Sequence, residues 1–375
     1  METCARSTGM KTIVISAVNI RKGGTLTILR DCLSYLSSLP AEEYRVVALV
    51  HRKELALYPG IEYIEFPKSI NSWCRRLWCE YVSMYRVSRQ LAPVDLWLSL
   101  HDTTPRVMAR RQAVYCQTSF PFLKLKWKDV IYDYKIVLFA LFTRFAYKVN
   151  VQRNSYLVVQ AQWLREGFSR MLSLPEERFV VFPPKAPTSS TLKPSIRNAD
   201  YMFLFAATPD AHKNFETLCQ ATRLLEQEVG KNRFRVILTI GGEENRYARA
   251  LKEEYGDVDS LKMVGFLSKP ELEDYYTKAD CLVFPSRIET WGLPISEFGR
   301  YNKPMLLADL PYAHETAEGC QRVGFFNPHN PEMLAGMMER MMGGNVEDLV
   351  MVPKRDVKEP YSKTWKDLFE LLLDE

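Results

Sequence analysis

From residue 200 onward, short apolar runs alternate with longer amphipathic stretches, and this alternation restricts the fold more than any other feature of the chain. The runs 202–206, 234–240, 261–264, 281–284 and 305–308 read as buried strands. Between them, 215–228, 245–254, 269–278 and 294–301 carry helical spacing. Strand followed by helix, repeated, gives a parallel sheet covered on both faces. The first half repeats the pattern, with strands at 12–16, 45–50, 63–66, 96–100, 113–116 and 156–159 and helices at 26–38, 72–90, 130–147 and 163–172.

A chain of 375 residues exceeds one comfortable core. The stretch 182–198, rich in Pro, Ser and Thr, is its best linker. The expected fold is therefore α/β: two doubly wound Rossmann-like domains, 1–185 and 186–357, facing each other across a cleft. Ligands belong at the carboxyl ends of the strands. With 47% hydrophobic and 25% charged residues, disorder is excluded. Eight cysteines without a C-x-x-C pair read as reduced thiols in a cytoplasmic protein and argue against structural zinc. The first apolar run, 13–18, is too short for a signal peptide or a membrane span. The leader before Met10 has no pattern, so Met1 and Met10 both stand as possible starts.

The segment 281–304, CLVFPSRIETWGLPISEFGRYNKP, carries the chemistry. A strand ends at Phe284, a loop carries Glu289, Pro294 stands at the first position of a helix, and Glu297 falls in its first turn. Free N–H groups near Gly292 and Leu293 make an anion site at that helix start. Two carboxylates flanking such a site suit a ligand with hydroxyls at both ends and phosphate between them, as in a nucleotide sugar. The spacing of Glu289 and Glu297 means nothing alone, because acidic residues are common and the helix dipole favours them in a first turn. The strand, loop and Gly-Leu-Pro around the pair supply the specificity.

In that context Glu289 and Glu297 resemble the E-x7-E signature of retaining glycosyltransferases of the GT-B fold, most closely family 4. Further family-like pieces follow in order: Ala211-His212-Lys213-Asn214, Ile240-Gly241-Gly242-Glu243, Val264-Gly265-Phe266, Lys303-Pro304 and Phe326-Asn327-Pro328. The resemblance covers 200–375 strongly and 11–180 weakly. It implies that Glu297 takes the ribose hydroxyls and that Glu289 lies beside the donor sugar. The backbone of Trp291, Gly292 and Leu293 would lie near sugar and phosphates, and Lys213 would neutralise the diphosphate. Gly23 and Gly24 would let backbone approach the phosphates, or simply form a tight turn. The resemblance also implies net retention and a terminal crossover helix, 358–375, that returns to the first domain. Lys213 as a solvated residue at a helix start is the bland alternative.

Two positions depart from the family pattern. Thr208 stands where an Arg is usual, leaving diphosphate charge to Lys213, helix starts and Arg287. Gln117 stands where many members have His; it can hydrogen-bond a sugar but cannot titrate. His101 and Asp102 then offer themselves to the acceptor, or His101 is a satisfied structural residue. No cofactor or metal is expected, the donor being a substrate; Asp257-Val258-Asp259 reads as a solvated turn.

Residues 104–153 hold ten Lys and Arg against Asp129 and Asp133, interleaved with aromatic residues. The segments 72–90 and 124–148 thus suit an anionic membrane surface; a core helix with a solvated basic side is the alternative. Nucleic acid is not expected, for want of any recognised motif. The sequence reading is a metal-independent, retaining, hexosyltransferase-type enzyme, cytoplasmic and peripheral on the inner face of the cytoplasmic membrane. Its acceptor would be a glycan or lipid-linked glycan of a bacterial surface polysaccharide such as O-antigen or capsule. A sugar-nucleotide 2-epimerase and a non-catalytic nucleotide-sugar-binding subunit are its rivals.

Overall fold

A computed structural model describes residues 9–69, 72–185 and 200–374, apart from the side chains at 73, 74, 128 and 133. Most of the expected linker, 186–198, and the leader 1–8 lie outside the described residues. The chain forms two compact units, Met1–Thr118 with Phe142–Lys185 and Val357–Glu375, and Ser119–Leu141 with Ala186–Asp356.

The first unit is built on seven parallel strands: β1 (Lys11–Ala17), β2 (Tyr44–Val50), β3 (Ile61–Glu65), β4 (Leu96–Ser99), β5 (Arg111–Cys116), β6 (Tyr156–Val159) and β7 (Phe179–Val181). Their order is β3-β2-β1-β4-β5-β6-β7, with Ile13 opposite Val46 on one side and Leu96 on the other. The second holds six: β8 (Tyr201–Phe205), β9 (Phe234–Leu238), β10 (Leu261–Met263), β11 (Cys281–Phe284), β12 (Met305–Ala308) and β13 (Val323–Phe326). They run β10-β9-β8-β11-β12-β13, again all parallel. Both sheets are Rossmann-like, as expected. In each, the order reverses beside the first strand, between β1 and β4 and between β8 and β11, and there the loops part to leave room for a ligand.

The first unit closes with the helix Trp365–Leu373. Its Leu368, Phe369 and Leu372 are buried in one cluster with Ile13, Leu29, Leu33 and Tyr115. Buried Arg165 ties the segment before it, donating to the carbonyls of Lys358 (2.7 Å) and Pro360.

Three features differ from the sequence reading. The expected helix 72–90 is interrupted: Trp73–Trp78 and Met84–Leu91 are α-helical, with a π turn, Cys79–Ser83, between them. Within that turn Glu80 is buried, where it accepts from Arg76 (3.0 Å) and Thr103 Oγ1 (2.6 Å). The strands β7 and β13 and the helices Pro311–Thr316 and Pro331–Met342 were not anticipated. The basic stretch 104–153 is divided, since Ser119–Leu141 groups with the second unit and includes most of the helix Trp127–Lys148.

Candidate functional site

In the second unit, the loops leaving the two strands at the order reversal bring Lys213 and Glu289 together. After β8 a short 3-10 turn, Ala211–Lys213, ends at Asn214, whose left-handed backbone (φ 60°) starts the helix Phe215–Val229. Asn tolerates that conformation because its short side chain bonds locally. Here its Nδ2 donates to the carbonyls of Pro285 (3.1 Å) and Pro328 (2.8 Å), pinning the loops after β11 and β13 to the Lys213 turn. The Lys213 ammonium lies 2.6 Å from Glu289 Oε1, with the two side chains 16% and 12% exposed. The charges balance while a polar edge stays open to a ligand.

The Glu289 loop is held from several sides. The Arg287 N–H donates to the His212 carbonyl (2.8 Å), and Tyr312 O–H to the Ser286 carbonyl (2.7 Å). Thr316 Oγ1 donates to the Trp291 carbonyl. Gly292 then takes φ 90°, and a Cβ there would come within 3.2 Å of Ile295 Cδ1 and 3.6 Å of the Tyr312 ring. Because Gly292 caps it, the following helix spans Leu293–Gly299. Pro294 is therefore its second residue and Glu297 its fifth, just beyond the first turn where the sequence reading has it. Burial pushes the Glu297 carboxyl up, against the pull of Tyr276 O–H, which donates to Oε2 at 2.9 Å. Tyr276 is a partner that sequence reasoning missed.

The Arg287 guanidinium, expected at the diphosphate, is already engaged. It reaches both oxygens of Asp129 (2.5 and 3.1 Å) and the Ala211 carbonyl (3.2 Å), and both side chains of the pair are 5% exposed. Asp129 was not singled out in the sequence, because nothing local connects it to residue 287. Beside this pair His212 is buried edge-on to Phe120 (5.2 Å), and its imidazole is pushed well below its usual range by burial, then by Lys213 and Arg287. The Gly241–Glu243 turn aims three N–H groups inward, and the Glu244 carboxylate accepts all of them (2.5, 2.9 and 3.0 Å). Asp257 and Asp259 pair with Arg223 (2.8 Å) and Lys231. Among the described residues, no group of three or more His, Cys, Asp or Glu could hold a metal ion.

In the first unit, Gly23 (φ 72°) and Gly24 open the helix Gly23–Leu36 beyond β1, with no heavy atom within 4 Å of an added Cβ at either. His101 and Asp102 follow β4. The His101 ring is fully buried, with Nε2 2.8 Å from Ser16 Oγ, Nδ1 3.0 Å from Thr103 Oγ1 and Glu80 at 3.7 Å. Burial lowers its pKa. Asp102, at φ 68°, accepts from Tyr147 O–H (2.7 Å) and the N–H groups of Gln117 (2.5 Å) and Thr118 (3.1 Å). Both side chains are thus occupied within the first unit, chiefly by residues remote in the sequence. Gln117 Nε2 donates to the Leu100 carbonyl (2.8 Å), while its buried Oε1 has no partner among the described residues.

The chain is similar to solved glycosyltransferases over nearly its full length. It shares 14% identity and a TM-score of 0.64 with WaaG, a glycosyltransferase involved in lipopolysaccharide biosynthesis, covering 97% of this chain and 100% of that one. With the apo form of the lipopolysaccharide outer core galactosyltransferase WaaB the values are 13% and 0.59, covering 90% and 92%. Among curated relatives, the O-antigen chain mannosyltransferase RfbU of Salmonella typhimurium is 24% identical over 178 residues, 47% of this chain and 48% of that protein. The serotype-specific mannosyltransferase WbdA of Escherichia coli is 29% identical over 169 residues, 44% and 20%. These matches span about half the length of the first relative and a fifth of the second. The two parallel, doubly wound sheets are those of GT-B proteins. Residues 191–353, which carry Lys213, Glu289 and Glu297, match the family Glycosyl transferases group 1, and this supports a glycosyltransferase of GT-B fold.

Proposed function

We propose that this chain is a glycosyltransferase that moves a hexosyl unit, with retention and without a metal, from a nucleotide sugar to a glycan or lipid-linked glycan. The Lys213–Glu289 pair at the β8/β11 reversal carries this reading. Breaking the bond from sugar to diphosphate builds oxocarbenium character at the anomeric carbon, which the Glu289 carboxylate stabilises. The departing diphosphate gathers negative charge, which Lys213 and the backbone N–H groups around Gly292 meet. Because an ammonium and fixed dipoles take that charge, the scheme needs no divalent cation. The acceptor hydroxyl attacks on the face the diphosphate leaves and passes its proton to that leaving group. Glu297, oriented by Tyr276, accepts from the ribose hydroxyls. His101 and Asp102 are taken up by Ser16, Thr103, Tyr147 and the Gln117 N–H, so neither is given a role toward the sugar.

The setting we propose is the assembly of a bacterial surface polysaccharide on the cytoplasmic side of an anionic membrane. It is supported by the similarity to an O-antigen mannosyltransferase and by the exposed Leu77, Trp78 and Trp127 among the bases of 72–90 and 124–148. No helix among the described residues is long and apolar enough to cross a membrane.

The roles of the two carboxylates separate in experiment. A thermal-shift screen of nucleoside diphosphates finds the base, since a ligand at 100 times its Kd stabilises by about 2.7 kcal/mol. Glu297→Ala should then weaken nucleoside diphosphate binding, by about 1.5–3 kcal/mol for a charge-assisted hydrogen bond. Glu289→Gln should leave that affinity near wild type and lower turnover far more than donor affinity. Full turnover by Glu289→Gln, or unchanged nucleotide affinity in Glu297→Ala, refutes the assignment.

A further inference from the structure

We propose that the second unit carries a seat for a lipid phosphate. Lys124, Lys126 and His329 take the phosphate or diphosphate head, and the exposed face of the helix Trp127–Lys148 between Trp127 and Leu141 takes the hydrocarbon. The inference rests on the glycosyltransferase reading and narrows its acceptor to an amphiphile with an anionic head.

Four segments build the head site at the carboxyl end of the second sheet. Arg287, two residues before Glu289, donates to the Lys124 carbonyl (3.4 Å) and holds Asp129, while the Asp129 carboxylate also accepts the Lys126 N–H (2.7 Å). Phe120 packs on His212 at the other end of the same strap. Asn214 and Thr217 fix the Pro328 carbonyl (2.8 and 3.0 Å), and the His329 N–H closes a turn on Asn327 Oδ1 (2.9 Å). His329 is thereby set, exposed, among Lys126, Arg287 and Lys124, whose charges add to burial in pushing its imidazole down. Asp129 balances Arg287, whereas exposed Lys124 has no ion pair among the described residues. An anion is the complement this cluster calls for.

The apolar half adjoins it directly. Trp127 is 71% exposed, and Val130, Ile131, Tyr134, Leu138 and Leu141 are exposed as well. At steps of three, one, three, four and three residues they fall on one helix face, about 21 Å long at 1.5 Å per residue. A contiguous apolar stripe of this kind marks a surface that something covers. Its start beside a cationic cluster selects a lipid with a phosphate head over an apolar protein partner.

Calorimetry on the full chain with farnesyl diphosphate below its micelle concentration, farnesol, inorganic diphosphate and the nucleoside diphosphate from the screen tests this. Farnesyl diphosphate should bind at least tenfold tighter than farnesol or inorganic diphosphate. Lys124→Glu, His329→Ala and Trp127→Ser should each weaken it about tenfold while nucleoside diphosphate affinity stays within twofold, which also reports a folded second unit. Wild-type affinity in these variants, equal affinity for farnesol, or full competition by nucleoside diphosphate overturns the seat. Binding only to anionic vesicles, never to the monomeric diphosphate, overturns it in favour of a plain membrane surface. Failure of every nucleoside diphosphate to bind is a separate result, against the donor site, and leaves the farnesyl diphosphate comparison readable.

Discussion

Replacing Asp129 should unfold the second unit far more readily than its place in a basic, mostly exposed segment implies. The carboxylate and the Arg287 guanidinium are each 5% exposed and joined by two bonds, 2.5 and 3.1 Å. Asp129→Leu leaves the guanidinium buried with only the Ala211 (3.2 Å) and Lys124 (3.4 Å) carbonyls, both long contacts, to offset its charge. Breaking a buried pair from one side costs about 3–5 kcal/mol. Asp129→Leu with Arg287→Met removes both charges and should recover at least half of that loss, because an apolar pair of similar volume needs no compensation. Urea unfolding supplies the numbers. Since the two units need not unfold together, nucleoside diphosphate binding should be followed alongside circular dichroism to assign the transition. A single-mutant loss below about 1 kcal/mol, the range of exposed pairs, or a double mutant no better than Asp129→Leu, would show that water reaches this pair freely and that the strap is not held by it.

Gly292→Val should destabilise by about 1–3 kcal/mol and lower turnover, because φ 90° and the 3.2 Å approach to Ile295 both oppose a side chain; an unchanged melting curve would contradict the strain assigned there. Glu297 has a raised folded-state pKa, so the native state holds its proton longer than the unfolded chain and stability is lost as pH rises from the ordinary carboxyl range through the raised value. Glu297→Gln should therefore raise Tm at pH 7, with the gain vanishing in acid; a gain that grows in acid would reverse the sign. Leu368→Ala should cost about 2–5 kcal/mol in the first unit, as the side chain is wholly buried there. Sedimentation with anionic liposomes should be reversed by salt and abolished in Lys124→Glu, Lys126→Glu, Lys128→Glu, and equal binding to neutral vesicles would count against electrostatic docking.

Five of the six strands of the second sheet are legible as apolar runs, because a strand buried on both faces announces itself that way; Cys281–Phe284 and Met305–Ala308 have the expected bounds, whereas β13 carries no such signal in the reading. The three residues of β7 are too few for any period to show. The helix Pro331–Met342 carries a legible signal: Asn330 caps the Met333 N–H, Pro331 opens the helix, and Leu334, Met337, Met338 and Met341 recur on its buried face. At the site, Lys213, Glu289 and Glu297 stood out through their flanking residues. Their supports did not, since the Arg287–Asp129 pair spans 158 positions and Tyr276–Glu297 joins two separate helices. Long-range pairing of this kind leaves no period in a sequence. The role of His101 is illegible for a related reason: its ring is taken up by Ser16 and faces Glu80, both remote in the chain.

The helix Trp365–Leu373 gives this protein an unusual order of assembly. The first unit's core needs Leu368, Phe369 and Leu372, so its sheet leaves the ribosome with one wall missing. The residues from Ala186 to Asp356 must be made before that wall arrives, roughly ten to thirty seconds at usual synthesis rates. Throughout that interval Ile13, Leu29, Leu33 and Tyr115 depend on chaperones or transient collapse for shelter, while the second unit can finish its own sheet. A chain cut short before Trp365 would thus spare the later-made unit and spoil the earlier one, the reverse of what vectorial synthesis ordinarily protects.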